Sequence, residues 1–567
     1  MASLEPDIIE PMQEKLSVLI ASAIQDLYSI NIEPEIDRPE VRYGDFSTNV
    51  ALKISKQLDK SPSDLAKILA EKLKTSDFLS EVSVAGPGFI NFRLSISSII
   101  DQAKADFNKT LDGKVIVAEY SDPNPFKILH AGHLYTSIVG QAIANLMEVA
   151  GAHVHRVNFG GDVGLHVAKT MWAIINELGG ERQAELEKIA EDQRSDWLSR
   201  CYVEGNQAFE SDDASIKEDI RELNKRLYDI SLNHDQKSAL GQIYWTTRGW
   251  SYDYFEDFYK RLNIKFEKYY PESEVADIGV QTVKEHIPDV YQESQGAIVF
   301  NGQDYGLYTN VFINNQGLPT YSAKDVGLIM KKWDDYHYDK SVMITGDEIT
   351  SYMKVVLKSV SLFAPEKVKP IVHLTHGLVK LTGGQKMSSR QGNILKATDI
   401  LDLSAEATKA KGLSEDPKVT IGAVKYAFLK QRIGGDIIYD PNESVSIEGN
   451  SGPYLQYAYA RSRSIINKSS VDDFDLYATE NLTDYERSLL YSIGAFNETL
   501  NEAISELKPH HLANYLYDLA QVFNRFYEHS RVIGDEREGL RLSIIRLFGD
   551  KLEVGLKLLG IEVIEGM

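Results

Sequence analysis

"KILHAGHLYTS", Lys127 to Ser137, sets two histidines three residues apart around one glycine. Ahead of it, "KVIVAEY" (114–120) is a short apolar run suited to a buried parallel strand. The turn "SDPNP" joins the two. Beyond His133 the apolar residues fall at helical spacing: Leu134, Ile138, Ala142, Ile143, Leu146, Met147 and Ala150, with Gly151 as the stop. "HVHRVNF" (153–159) then reads as a second strand. Strand, helix and strand make one βαβ unit, parallel and right-handed by default.

Three readings of the histidines compete. His130 and His133, with His153 and His155 nearby, offer imidazoles to a metal. No carboxylate or cysteine completes the set, so no metal site is expected. A satisfied polar residue at a helix start is the plain alternative. The third reading is a nucleotide site. The carboxyl edge of a parallel sheet is where α/β folds bind ligands, and a helix N-terminus offers free N–H groups and partial positive charge to phosphate. Gly132 permits close approach of a ligand to the backbone. The imidazoles can donate to a phosphate that gains charge in its transition state. Local residues favour the nucleotide and leave the structural role open.

The chain around this stretch has 567 residues, 43% hydrophobic and 25% charged, with ample length for three or four domains. A net charge of −22 favours solubility without excluding RNA, because phosphate contacts depend on local Lys and Arg clusters. Cys201 is the only cysteine, so no intrachain disulfide is possible, which fits a reducing cytoplasm. Glu5, Asp7 and Glu10 argue against a secretory or transit leader, and no run of about 18 apolar residues predicts a membrane span. Residues 1–110 read as a small α+β domain: an amphipathic helix over 7–28, another over 62–73 capped by Ser61 or Ser63, and a hairpin over 82–94 turning at Gly-Pro-Gly. An α/β domain with a parallel sheet follows over 111–400, carrying a charged helical insertion at about 180–290. "GAIVFN", "LYTNVFIN" and "SVMITG" are its further strand candidates. The segment 401–567 reads as all-α.

A second motif changes the weighing. "GGQKMSSRQGN" (383–393) would alone be an ordinary polar loop. Paired with "HAGH" some 250 residues earlier, it resembles the two signatures of the class I aminoacyl-tRNA synthetases. The surroundings narrow the family. "AEYSDPNPFKILHAGHLYTS", "GDFSTNVALKISK", "AGPGFINFRL", "GLPTYSAKDVGLI", "EGNSGPYLQYAYARSRSI", "YLYDLAQVFNRFYEHSRV" and "LLGIEVIEGM" resemble segments of arginyl-tRNA synthetases, over residues 44 to 567.

The resemblance implies a Rossmann-like catalytic domain, preceded by an added α+β domain that touches the tRNA elbow and followed by a helical anticodon-binding domain. It implies ATP as substrate with Mg²⁺ on its phosphates, and L-arginine and its tRNA as partners of a cytoplasmic monomer. His130, Gly132, His133, Lys386, Met387, Ser388 and Ser389 would hold ATP, with His130, His133 and Lys386 catalytic. Glu119, Asn124, Tyr321 and Asp325 would line the arginine pocket, where Glu119 and Asp325 suit a planar fork of guanidinium donors. Tyr454, Tyr457, Arg461 and Tyr527, with Tyr459 and Tyr515, are candidates for stacking on tRNA bases, although aromatics at helical spacing commonly pack a core.

The chain departs from the family in places. Ser389 stands where the general signature has its second lysine, and Lys127, three residues before His130, is the candidate substitute. "GDEITSY" (346–352) replaces the family's usual stretch, which puts the role of Glu348 in doubt. "NFGGDVG" (158–164) varies from the family's usual stretch but keeps Asn158, Asp162 and Gly164. Two rivals remain: another nucleotidyltransferase with the same first signature, which would lack Tyr321 with Asp325, and a non-catalytic RNA-binding relative, which would have lost a signature.

Overall fold

The computed structural model describes residues 12–39, 41–382, 395–471 and 474–566. The chain divides into two compact units. One is Thr110–Val445; the other combines the chain up to Lys109 with Ser446 onward.

The first unit is built on five strands: β1 (Val115–Glu119), β2 (His153–Gly160), β3 (Lys268–Pro271), β4 (Lys340–Gly346) and β5 (Ile371–His376). They lie in the order β5-β4-β1-β2-β3 and are all parallel. Helices α1 (Ala131–Val149), α2 (Leu165–Glu177), α3 (Glu272–Glu285), α4 (Tyr321–Tyr336) and α5 (Thr350–Ser361) accompany them. A sheet covered on both faces needs apolar residues on consecutive positions, and Ile116, Val117 and Ala118 of β1 and Val342, Met343 and Ile344 of β4 are all buried. Helix α1 is buried round most of its circumference, as its apolar content requires. From β1 the chain passes to β2 and β3 on one side, while β4 and β5 lie on the other. The reversal opens a crevice at the carboxyl ends of β1 and β4, where such sheets bind ligands.

The helical insertion ends earlier than its sequence suggests. Helices Arg194–Glu210, Ala214–Leu232 and Ala239–Arg261 share a core of Met171, Ile174, Trp197, Ile220, Leu227 and Tyr244, but the chain rejoins the main sheet at Lys268, not near 290. "GAIVFN" and "LYTNVFIN" do form strands, Ala297–Phe300 and Asn310–Ile313. They sit with Gln292–Ser294 in a separate antiparallel sheet, because their connections are too short for a parallel crossover. The expected boundary at 400 also moves. Helices Ala397–Ala410 and Pro417–Leu429 belong to this unit, where the buried Lys425 reaches Gln141 of α1 at 2.8 Å and the carbonyl of Leu262 at 2.6 Å.

In the second unit the expected N-terminal elements are present: helices Met12–Tyr28 and Pro62–Leu73, the latter with Ser61 at its N-cap, and the antiparallel pair Leu79–Ala85 and Phe89–Leu94. Its C-terminal part is a helical bundle that includes Gly452–Lys468, Asp484–Gly494, Pro509–His529 and Glu538–Leu558. The two parts form one body. The buried Asp45 takes Arg487 at 2.5 Å and the N–H of Leu94 at 2.7 Å, and Arg38 meets Glu498 at 2.7 Å.

Candidate functional site

The turn between β1 and α1 carries most of the site. Ser121, Asp122 and Phe126 have φ of 75°, 48° and 66°, a strained run of non-glycine residues of the kind that gathers at functional sites. His130 is the N-cap of α1. Its Nδ1 accepts the N–H of Gly132 at 3.1 Å, and Nδ1 of His133 accepts the N–H of His130 at 3.1 Å. A Cβ on Gly132 would stand 3.0 Å from the His130 ring, so the glycine makes room for the cap. The two rings stack with centroids 3.7 Å apart.

These bonds assign the tautomers. A backbone N–H can only donate, so each Nδ1 is a bare acceptor and each neutral ring carries its proton on Nε2. Burial, with the charge of Lys127 and the presence of His376, pushes the His130 pKa down to about 3. Burial and the same neighbours, with His130, push His133 well below the usual range. Both are therefore neutral single donors at neutral pH. His376 is the complement. Its Nδ1 donates to the carbonyl of Gly377 at 2.6 Å, which leaves Nε2 as an acceptor.

His130, Gly132 and His133 line a cavity of about 540 Å³ with Thr345, Glu348 and His376. Lys386, Met387, Ser388 and Ser389 of the second signature lie outside the described residues. The chain on either side of that segment does reach the cavity. Leu381 and Leu395 both line it, and Leu395 accepts from Ala131 N–H at 2.9 Å. Lys127 is not on the cavity wall; its Nζ lies 5.3 Å from the centre of the Tyr202 ring.

A second cavity, about 310 Å³, adjoins the first and shares Asp122, Asn124, Thr345 and Ile349 with it. Glu119, Asn124, Tyr321 and Asp325, predicted from separate parts of the sequence, all line it. Asp122, Glu272 and Tyr352 join them unpredicted. Asn124 accepts the N–H of Gly161 at 2.8 Å, and the half-exposed Tyr321 meets Nδ1 of His166 at 3.2 Å. Glu119, expected as a guanidinium partner, already holds a cation. It is buried against Lys332, whose ammonium it neutralises, because a carboxylate at that depth needs a cation. Glu272 is likewise paired with Lys324 at 2.5 Å. Asp325 has no ion-paired cation among the described residues and accepts from the hydroxyl of Tyr352; burial carries its pKa up to about 7. Asp122 accepts the N–H of Phe159 at 2.8 Å, and burial, then the charge of Glu119, raises its pKa well above the usual range.

Other candidates prove to be scaffold. The buried Asp162 accepts from Ser273 and Arg248 and ties the end of β2 to α3, and Asn158 bonds the carbonyl of Tyr120 at 3.3 Å. In the second unit Tyr454, Tyr457, Arg461 and Tyr527 do form one surface cluster. Arg461 lies over Tyr457 and Tyr527 at 4.6 and 5.3 Å, and Asn524 bonds both Arg461 and Tyr454. Tyr459 and Tyr515 do not join it; both are bound internally, to Glu553 and to the carbonyl of Ser492. The "SDPNP" turn directly after β1 and the "PES" start of α3, each at the carboxyl end of a strand, are the sequence signals that point to Asp122 and Glu272.

Comparison with known proteins agrees with this geometry. Residues 95–440 match the family described as tRNA synthetases class I (R), catalytic domain. Residues 14–94 match an arginyl tRNA synthetase N terminal domain, and 455–567 a DALR anticodon binding domain. Among relatives, the chain is 27% identical to an arginine–tRNA ligase of Porphyromonas gingivalis, covering 98% of this chain and 99% of the relative. It is 28% identical to one of Clostridium perfringens, covering 97% and 99%. Its fold is similar to the solved Thermus thermophilus arginyl-tRNA synthetase, with a TM-score of 0.79 at 23% identity over 98% of this chain and 100% of that one. The Plasmodium falciparum arginyl-tRNA synthetase gives 0.78 at 20%, over 99% and 100%.

Proposed function

The chain belongs to the class I tRNA synthetases for arginine, and from that premise we propose how its residues divide the work. As an arginine–tRNA ligase it joins arginine to tRNA and uses ATP as substrate. The observation that carries the division is the pair of adjoining cavities at the sheet's switch point, one furnished with N–H donors and the other with carboxylates.

ATP occupies the larger cavity and arginine the smaller. The shared wall at Asp122 and Asn124 then lies where the arginine carboxylate meets the α-phosphorus. The carboxylate oxygen attacks that phosphorus, and the bond to pyrophosphate breaks. His130 and His133 donate from Nε2 to phosphate oxygens as negative charge builds, and the N-terminus of α1 adds partial positive charge. Being neutral, they donate without giving up a proton. Lys127, which stands back from the cavity wall but whose charge is felt at His130 and His133, and Lys386 supply the cations that neutralise pyrophosphate. A ribose hydroxyl at the tRNA terminus then attacks the activated carbonyl, and AMP leaves.

Asp325 receives the guanidinium, with Tyr321 beside it; Asn124 orients the α-amino end, and Glu119 shapes the wall through Lys332. Mg²⁺ travels on the ATP phosphates. Among the described residues the one trio of His, Cys or acidic groups with ligand atoms within 4.8 Å is Glu502, Glu506 and His511, on the C-terminal helices outside both cavities. The cluster around Arg461 reads tRNA by stacking. We carry over from the family a cytoplasmic monomer as the working form; among the described residues no helix is long and apolar enough to cross a membrane.

ATP–pyrophosphate exchange tests the division, run with and without tRNA on the wild type and on Lys127→Ala. Arginine-dependent exchange is expected, with a rate at least tenfold lower in the variant. No exchange under either condition would reject the catalytic assignment, and an unchanged variant would remove Lys127 from it.

A further inference from the structure

Four carboxylates face the smaller cavity, and two lysines stand among them. Glu119, at the end of β1, is committed to Lys332, and Glu272, at the start of α3, to Lys324. Asp325 alone among the three carboxylates on β1, α3 and α4 lacks an ion-paired partner among the described residues; its partner is the hydroxyl of Tyr352. The two come from different elements. Asp325 sits one turn into α4, and Tyr352 sits in the first turn of α5, just after β4 ends. Burial raises the Tyr352 pKa well above its ordinary value, so its hydroxyl stays protonated and donates.

We propose that Tyr352 is a positioning residue for arginine selection: its hydroxyl fixes the Asp325 carboxylate and favours its charged form, so that Asp325 meets the guanidinium ready-made. The inference rests on the reading of Asp325 as the guanidinium partner. A donor to a carboxylate stabilises the anion and holds one oxygen, which leaves the other oriented for a fork of donors. Without that donor, Asp325 faces Glu119 and Asp122 from the β1 end and Glu272 from α3, against the already paired Lys332 of its own helix.

The pH dependence gives a readout that mere packing would not. Burial lifts Asp325 to about pH 7, and the Tyr352 bond works against the rise. The group is therefore charged above about pH 7 and loses its charge as pH falls, whereas the guanidinium does not titrate in this range. Arginine affinity falls on the acid side, and loss of the Tyr352 donor moves that limb to higher pH.

The experiment is steady-state aminoacylation by the full chain between about pH 6 and 8.5, within the range where the arginine guanidinium stays charged. Wild type is compared with Tyr352→Phe, Asp325→Asn and Asp122→Asn. Tyr352→Phe keeps the ring and is expected to raise the KM for arginine about fivefold at pH 7, the loss of one hydrogen bond to a charged group. Its kcat and its KM for ATP and tRNA stay within about twofold, and its acid limb moves to higher pH. Asp325→Asn is expected to abolish the limb. If Tyr352→Phe keeps the wild-type KM and limb while Asp325→Asn loses them, the inference is overturned and the pocket assignment stands. If Asp325→Asn leaves the KM for arginine unchanged, or the limb vanishes only in Asp122→Asn, the pocket assignment itself fails.

Discussion

His130 and His133 show how little a residue's name says about its chemistry. Each ring is locked by a backbone N–H on Nδ1 and held neutral by burial, so each can give one N–H and no positive charge. Because their pKa values are depressed, protonation waits for acid far below neutrality. At saturating arginine, kcat is expected to show no imidazole limb between about pH 6 and 8, and alanine at either position should lower kcat by about 10²–10³. A limb near the ordinary histidine value that disappears in His130→Ala would contradict the neutral state assigned to that ring. The spacing of the two histidines and the glycine was legible in the sequence, because a strand-turn-helix pattern surrounds them. Their tautomers were not, since these depend on which ring nitrogen folds back onto the turn. Glu119 was legible as a pocket residue but not as one already neutralised, because Lys332 lies more than 200 residues away in sequence.

At the scale of elements, α3 and α4 present Glu272, Tyr321 and Asp325 to the pocket, and two glycines set how closely they pack. A Cβ on Gly279 would stand 1.8 Å from the carbonyl oxygen of Ala323, and one on Gly327 2.1 Å from that of Val275. The helices therefore touch backbone to backbone. Gly327→Ala must push them apart, at a cost of about 1–3 kcal/mol. Because α4 carries Tyr321 and Asp325 while α3 carries Glu272, the same change should raise the KM for arginine. Thermal unfolding and arginine kinetics check this together, with a fall in Tm of a few degrees expected. A variant with unchanged Tm and KM would show that the contact tolerates a methyl. Individual helices and the βαβ unit followed from periodicity. The separate antiparallel sheet over 292–313 did not, because a short apolar run looks alike in either kind of sheet.

The whole molecule pairs a catalytic unit with a body made from both chain ends. Its boundaries escaped a linear reading because they are set by contacts distant in sequence: Lys425 with Gln141 keeps the helices after 395 in the first unit, and Arg487 with Asp45 joins the termini in the second. The first unit carries the two adjoining cavities, and the C-terminal part of the second matches a DALR anticodon binding domain. As an arginine–tRNA ligase, this enzyme is expected to esterify arginine, and no other amino acid, onto tRNA. The most direct measurement is charging of a total tRNA pool by the purified chain with ATP and each labelled amino acid in turn, including citrulline, which matches arginine in shape but carries no charge. Stable charging with arginine alone is expected. Charging with citrulline or lysine at a comparable rate, or no charging with arginine, would contradict it.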